Sequence, residues 1–270
     1  MARMGLSRSV SEHNREMWER LADAGYAYTR PQGRLPSSES GLRRYVDPHG
    51  VLKSTDLQRA KVLVLAGGGG WHPIIFAKLG AKVTCLDISP KQLDTVARLA
   101  RKKDVKVAIE EGDMADLSRF RTSSFHVVWH VHSLVFAEDP EAVFREVGAV
   151  LKANGIYRTE TMHPFGFRMY EGWTGTGWTM RTSYDDPGPV EFSDPFWDDG
   201  KVRVEAPTLE YGHTISRIVN GIVAAGMVVD GLWEYTPDPV SDPTPGSDEH
   251  VEATFPIFVE VSARKLRAER

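Results

Sequence analysis

Runs rich in apolar residues alternate with amphipathic stretches through the middle of the chain. The apolar runs lie at residues 62–65, 83–86, 105–109, 125–129 and 156–161 and have the length of buried strands. The stretches between them suit helices with one buried face. Strands and helices that alternate through short links are typical of a parallel sheet covered on both faces by helices.

A helix is also predicted before the first strand, over residues 8–24. Ser9 or Ser11 can cap its start, and Gly25 follows its last turn. Residues 26–55 are rich in Pro, Gly, Ser and Arg, and we predict them to be irregular.

The alternation stops at residue 163 and returns fifty residues later. Residues 163–212 are rich in Gly, Pro, Asp and aromatic residues and have no long helical period. A helix is then predicted at 216–225, followed by strands at 227–235 and 255–263. This pattern predicts a sheet of seven strands, interrupted by an insertion.

The predicted fold is therefore a doubly wound, Rossmann-like α/β sheet that is mostly parallel. An N-terminal helical segment and an inserted cap are added to it. The predicted divisions of the chain are 1–55 for the N-terminal helix and cap segment, 56–162 for the cofactor-binding core, 163–212 for the inserted cap, and 213–270 for the C-terminal part of the sheet.

Composition and charge exclude several classes of protein. The 33 Lys and Arg residues are outnumbered by 37 Asp and Glu residues, so the chain has a net negative charge. Nucleic-acid-binding domains usually have a net positive charge. The single cysteine, Cys85, excludes a disulfide framework and favours a reducing compartment. No apolar run approaches the roughly 20 residues of a membrane helix. We therefore expect a cytoplasmic protein without a membrane or nucleic-acid partner.

The first candidate site is the glycine turn after the first predicted strand. Residues 67–70 are four successive glycines that follow Ala66. Glycine adopts positive φ and lets a ligand approach the backbone, and free N–H groups at a helix start favour a negative group. Asp87 ends the second predicted strand, where a carboxylate can accept both ribose hydroxyls. Together these features predict a site for an adenosine-containing cofactor.

The same two features also suit a dinucleotide, so a dinucleotide-dependent oxidoreductase is one alternative. Its fingerprint requires a small residue at the last position of Gly-x-Gly-x-x-Gly/Ala. That position is His72 when counted from Gly67 and Pro73 when counted from Gly68. Neither side chain allows the usual close packing of helix on strand, which disfavours this alternative.

Two further segments follow predicted strands at the same edge of the sheet. Asp113 and Met114 come after the third strand, where a carboxylate can accept an adenine amino group and a thioether can cover the ring. His130 and His132 end the fourth strand, at the edge where ligands bind in open α/β folds.

Residues 62–160 resemble the core of the class I S-adenosylmethionine (SAM)-dependent methyltransferases. The resemblance rests on the glycine turn, on Asp87-Ile88-Ser89, on Gly112-Asp113-Met114, and on the helix–turn–strand segment 150–156. Residues 13–18 are similar to a helix that many small-molecule methyltransferases place over the cofactor. The last two predicted strands are similar to the hairpin that closes the family's sheet, which implies that the last strand is antiparallel.

The resemblance implies in-line transfer of a methyl group from SAM to a small-molecule acceptor, without a metal. One departure is that Val64 and Ala66 stand where the family usually has an acid and a glycine, so contacts to the methionine end of SAM have to differ. A SAM-binding protein without transferase activity is a second alternative. The predicted cofactor ligands are Ala66, Gly67, Gly68, Gly70, Asp87, Ile88, Gln92, Asp113, Met114, Tyr28 and, through its backbone, His130.

The acceptor is expected beside the cofactor's methyl group, under the insertion. His132 is the predicted general base, because it lies just past a strand end and an imidazole titrates near neutrality. The insertion carries ten large aromatic side chains, which offer flat walls to an apolar or planar acceptor. The predicted acceptor-binding residues are Trp173, Trp178, Tyr170 and His163.

Overall fold

The computed structural model describes residues 9–237 and 239–267 of the chain. The strands are β1 (Lys61–Leu65), β2 (Lys82–Asp87), β3 (Val107–Glu111), β4 (Phe125–His130), β5 (Leu151–Met162), β6 (Phe196–Asp198), β7 (Arg203–Glu205), β8 (Met227–Tyr235) and β9 (Phe258–Lys265). The helices are α1 (Val10–Ala24), α2 (Glu39–Val46), α3 (His72–Lys78), α4 (Pro90–Lys102), α5 (Pro140–Val150), α6 (Pro164–Met169), α7 (Ile215–Ala224) and α8 (Asp248–Thr254).

Seven strands form one twisted sheet in the order β3-β2-β1-β4-β5-β9-β8. Neighbouring strands from β3 to β5 are parallel, and β9 runs antiparallel to both β5 and β8. The predicted doubly wound sheet of seven strands with an antiparallel last strand is therefore confirmed. Because β1 lies between β2 and β4, the carboxyl ends of the four strands β1 to β4 meet at one edge.

Apolar side chains on both faces of the sheet explain why the central strands read as continuous hydrophobic runs. Val62 and Val64 of β1 pack into a core with α2 and α3, whereas Leu63 and Leu65 pack into a second core with α5 and α7. All four side chains are fully buried. Burial on both faces is what a parallel sheet between two helical layers requires.

The N-terminal segment agrees with the prediction in its first helix and departs from it afterwards. Ser9 and Glu12 form a capping box at the start of α1, and Gly25 ends the helix in the left-handed conformation, with φ of 70°. The prediction that residues 26–55 are irregular is wrong for α2. Ser38 caps this helix, and Leu42 and Val46 anchor it in the core.

The inserted segment 163–212 contains α6 and the two-stranded sheet of β6 and β7. It packs directly on α1. The rings of Trp18 and Trp197 lie 5.8 Å apart, and the Asn14 side chain hydrogen-bonds both backbone groups of Leu209. The two segments predicted as separate caps thus form one cover over the carboxyl edge of the sheet.

Within the described residues, no helix is both long enough and apolar enough to cross a membrane.

Candidate active site

A cavity of about 840 Å³ opens at the carboxyl edge of the sheet, between the strand ends and the cover. Its floor consists of the glycine turn and of the residues that end β2, β3, β4 and β5. Its walls are α1, the segment after it, the insertion and α8. Of the predicted site residues, those that line it are Ala66, Gly68, Gly70, Asp87, Ile88, Gln92, Asp113, Met114, Tyr28, His132 and Tyr170.

The glycine turn adopts positive φ at Ala66 (48°) and Gly69 (73°). Gly68 lacks a side chain for a different reason, since a Cβ there would lie 2.6 Å from Asp87 Oδ2. A Cβ on Gly67 would lie 2.6 Å from Val64 Cγ1, so this glycine serves packing below the turn and does not line the cavity. Ala66 accepts a backbone conformation that costs an L-residue roughly 1–2 kcal/mol, which explains why the family usually has glycine there.

Asp87 is fixed at the end of β2 by backbone N–H groups. The N–H of Gly68 donates to Oδ2 and the N–H of Ser89 donates to Oδ1, both at 2.9 Å. Burial raises the pKa of Asp87 to about 6 against the effect of these donors. The Oε1 atom of Gln92 is also buried here, without a hydrogen-bond partner among the residues described. These acceptors suit the ribose hydroxyls of SAM.

Asp113 and α1 meet at the predicted adenine end of the cavity. The N–H of Ala115 donates to Asp113 Oδ1 at 2.8 Å, and the Ser11 hydroxyl donates to Oδ2. A second contact holds α1 at the end of β2, where Glu19 accepts hydrogen bonds from the Ser89 hydroxyl and the Lys91 N–H. The N-terminal helix therefore lies across the ends of β2 and β3, as the resemblance implied.

The two histidines at the end of β4 have different surroundings. The His130 ring is fully buried and hydrogen-bonds Tyr157 Oη at 3.0 Å and Ser133 Oγ at 2.8 Å. It does not line the cavity. His132 does, and its Nδ1 has no hydrogen-bond partner among the described residues. Burial lowers the pKa of His132, so its imidazole is neutral at pH 7 and able to accept a proton.

Glu160 lines the same part of the cavity and belongs to a buried charge network. Arg158 donates to Glu160 Oε2 at 2.7 Å and to Glu260 Oε2 at 2.6 Å. The Tyr235 hydroxyl also donates to Glu160 Oε2, at 2.5 Å. Burial alone would raise the pKa of Glu160, but Arg158, His132 and the Tyr235 hydroxyl together outweigh burial and hold that pKa below its usual value. An ionised carboxylate thus lies near His132.

The four predicted acceptor residues do not come together. Tyr170 lines the cavity and donates to Glu252 Oε1 at 3.1 Å. Trp173 and Trp178 instead pack on each other, with ring centroids 5.2 Å apart, and on His250.

The remaining acceptor prediction, His163, is placed at the start of α6. Its Nδ1 accepts the N–H of Phe165, and its Nε2 lies 2.7 Å from Glu234 Oε1. None of Trp173, Trp178 and His163 lines the cavity in this structure.

Several cavity residues were not predicted. Glu160 stands at the carboxyl end of β5, and the position of that strand in the sequence was a signal that could have found it. Others lie on α2, at the start of α3, after β4 or on the cover, where no short-range pattern marks them. Among them are Arg30, Tyr45, His72, Phe136, Glu210 and Glu252.

A sheet of this strand order, with an acidic residue at the end of β2 and another after β3 beside a glycine turn, is typical of class I methyltransferases. A profile of the methyltransferase-domain family matches residues 63–159. Methyltransferase YbaJ of Bacillus subtilis is 32% identical over 174 residues, which are 64% of this chain and 68% of that protein. The chain therefore belongs to the class I SAM-dependent methyltransferases. This confirms the predicted enzyme class and its SAM cofactor.

Two further comparisons give similarities of different extent. The ubiquinone biosynthesis O-methyltransferase of Xanthomonas oryzae pv. oryzae is 37% identical over 109 residues, which are 40% of this chain and 45% of that protein. The SAM-dependent methyltransferase of Mesorhizobium loti has a similar structure, with a TM-score of 0.60 and 21% identity, over 84% of this chain and all of that one. At this identity the structural likeness concerns the fold.

Proposed function

We propose that this enzyme methylates a small molecule that has an apolar or planar part and that binds in the same cavity as the cofactor. The observation that supports this most is the continuity of the cavity. Asp87 and Asp113 of the sheet edge and Phe167 and Trp197 of the insertion line one and the same cavity. Its volume of about 840 Å³ is near the upper end of the roughly 300–1,000 Å³ of small-molecule sites. It can hold a cofactor and a small acceptor together.

The proposed cofactor contacts follow the strand ends. Asp87 accepts the ribose hydroxyls, Asp113 and Met114 frame the adenine, and Gly70 opens the backbone toward the methionine end. Val64, which replaces the family's acid, is fully buried in the core and cannot serve there. Arg30 is the only Lys or Arg among the described residues that line the cavity, and we assign it to the cofactor carboxylate.

Bound SAM supplies an electrophilic methyl group and a positive sulfur, so the protein has to align the acceptor and exclude water. His132 is proposed to take a proton from the acceptor where the reaction releases one. Its neutral imidazole and its place on the cavity wall support this role. Glu160, held by Arg158, favours the positive charge that His132 then carries.

The residues that line the cavity indicate the class of acceptor. Aromatic rings from the N-terminal segment, the 134–136 turn and the insertion line the cavity, and the rings that the cofactor leaves free suit a planar or apolar acceptor. Carboxylates outnumber cationic side chains around the cavity, which disfavours phosphate-rich acceptors and nucleic acids.

Calorimetry with S-adenosylhomocysteine, the product of SAM, tests the cofactor assignment. Asp87→Ala removes charge-assisted hydrogen bonds and should weaken binding by about 1–3 kcal/mol. Asp94→Ala is the matched control, because Asp94 is an exposed residue on α4 outside this cavity. Equal affinities of the two variants for S-adenosylhomocysteine would contradict the assignment.

A further inference from the structure

Glu210 is a buried carboxyl group that the proposed function does not use. It lies in the last part of the insertion, is only 9% exposed, and lines the cavity. Thr208 Oγ1 donates to its Oε1 at 2.5 Å. Its Oε2 has no hydrogen-bond partner among the residues that the structure describes, which leaves this atom to whatever occupies the cavity.

The backbone around Glu210 holds it in place on two sides. The Asn14 side chain binds both backbone groups of Leu209, and its amide also donates to the carbonyl of Phe136 at 3.3 Å. On the other side, the N–H of Tyr211 donates to the carbonyl of Val135 at 2.7 Å. Glu210 is therefore fixed between α1 and the 134–136 turn, so its position does not depend on a flexible loop.

No described Lys, Arg or His forms an ion pair with Glu210. Burial accordingly raises its pKa to about 7, with only the Thr208 hydroxyl opposing. A carboxylate buried without a counter-ion is costly, and such groups are concentrated at functional sites. A bound cation would offset this cost.

Aromatic rings line the cavity on the elements that hold Glu210. Trp18 lies one turn after Asn14 on α1, and its ring packs edge-on against Phe136 at 5.4 Å. Phe167 of α6 and Trp197 of β6 line the same cavity. Aromatic faces attract organic cations, and the attraction increases when water is excluded.

We propose that Glu210 is the anchor of an acceptor subsite for an organic cation, that is, for an acceptor with a protonated amine on an apolar or planar body. This inference rests on the proposed function, since it names the acceptor class of the same cavity. Glu210 binds and orients the ammonium group, and the transfer chemistry stays at the strand ends.

The charge around the whole cavity favours a cation over an anion or a neutral alcohol. Among the described residues, seven carboxylates line it, against the single guanidinium of Arg30. The two lining histidines add no charge at pH 7, since burial lowers the pKa of His72 to about 4 and also lowers that of His132. Two carboxylates are assigned to the cofactor, and the others are Glu138, Asp139, Glu160, Glu210 and Glu252.

The test uses three probes of similar shape: 2-phenylethylamine, 2-phenylethanol and 3-phenylpropionate. Each is titrated at pH 8 into the full chain saturated with S-adenosylhomocysteine, where Glu210 is ionised and the amine is protonated. The amine should bind at least tenfold more tightly than the alcohol, and the propionate should bind most weakly. Equal binding of amine and alcohol, tighter binding of the propionate, or no binding of the amine would overturn the proposal.

Variants then assign the preference to one residue. Glu210→Gln should remove the preference for the amine, whereas Glu210→Asp, which keeps the charge, should retain part of it. Glu205→Gln is the matched control, because Glu205 is an exposed carboxylate on β7 of the same segment. A preference that survives Glu210→Gln would contradict the role of Glu210.

Binding of S-adenosylhomocysteine to each variant is measured first. If the unmodified protein does not bind S-adenosylhomocysteine, the proposed function is contradicted. If the unmodified protein binds S-adenosylhomocysteine but does not distinguish the three probes, only the cation subsite is contradicted.

Discussion

The two ends of the cavity are constructed in different ways. At the cofactor end, Asp87 ends one parallel strand and Asp113 follows another, and backbone N–H groups within two residues fix Asp87 Oδ1 and Asp113 Oδ1. At the acceptor end, the walls come from segments far apart in the chain. Asn14 and Leu209, which hold Glu210 in place, are separated by 195 residues.

This difference separates what the fold dictates from what the individual protein adds. Every parallel sheet of this type brings its strand ends to one edge, so a ligand site arises at the same place wherever the fold occurs. The cover has no such constraint, because loops and short helices over the edge can change without altering the sheet. The family profile follows the same division, since it covers 63–159 and stops before the insertion. The likeness to YbaJ is longer, at 174 residues, and therefore reaches beyond the segment that the profile matches.

The largest expected effect is a loss of methyl-transfer rate on substitution of His132, which we place between the cofactor end and the acceptor end. His132→Gln should lower the rate of methyl transfer by roughly 10²-fold or more if the acceptor has to lose a proton, because glutamine cannot act as a base. Affinity for S-adenosylhomocysteine should be unchanged. The measurement is single-turnover transfer of radiolabelled methyl groups to an acceptor found by screening.

His126→Gln is the control for that experiment. His126 lies on the same strand, β4, at the end away from the cavity, where it accepts the N–H of Lys61. Its variant should transfer methyl groups at the normal rate. A normal rate for His132→Gln as well would exclude proton transfer at this position.

The second prediction concerns the pH dependence of the cofactor end. In the protein without cofactor, Asp87 has a pKa of about 6. Ribose hydroxyls that bind to its carboxylate stabilise the ionised form and lower this pKa. Affinity for SAM should therefore be constant above pH 6 and fall by about tenfold per unit below it. The cofactor's own carboxyl and amino groups titrate outside this range.

Asp87→Asn separates this effect from general acid sensitivity. The amide does not titrate, so calorimetry between pH 5 and pH 7.5 should give this variant a weaker but nearly constant affinity. A parallel decline in both proteins would show that another group controls cofactor binding at low pH.

The same division decides how much could be predicted from the sequence. The apolar runs predicted all seven strands of the main sheet, and Asp87 and Asp113 line the cavity as expected. These signals are short-range, because strand, turn and acid are neighbours in sequence. The α2 helix was missed because the Pro- and Gly-rich residues around it suggested a loop, whereas Leu42 and Val46 make contacts that only the folded core provides.

The acceptor end could not be predicted in the same way. Aromatic residues in the insertion indicated a wall, but the sequence does not state which rings face inward. Trp197 lines the cavity, whereas Trp178 packs on Trp173, because the direction of each ring depends on α1 and α8 packing from distant parts of the chain. Glu210 had no signal at all, since a single acid in an irregular segment resembles any exposed residue.

The smallest predicted effect compares two tryptophans within the insertion. Trp197 lines the cavity and its ring packs against those of Trp18, Tyr26 and Tyr28, at 5.6 to 6.2 Å. Trp197→Ala should raise the KM for the acceptor several-fold, because a flat wall is lost, and leave affinity for S-adenosylhomocysteine nearly unchanged. Trp178→Ala should instead leave the acceptor KM unchanged and lower the free energy of unfolding by about 1–3 kcal/mol, since both an aromatic pair and buried apolar area are lost. Steady-state kinetics and urea unfolding measure the two quantities in both variants. In this view Trp197 belongs to the cavity wall, and Trp173 and Trp178 form a small separate core of the insertion. The view is wrong if Trp178→Ala also raises the acceptor KM, because the Trp178 ring would then reach the acceptor despite its packing against Trp173.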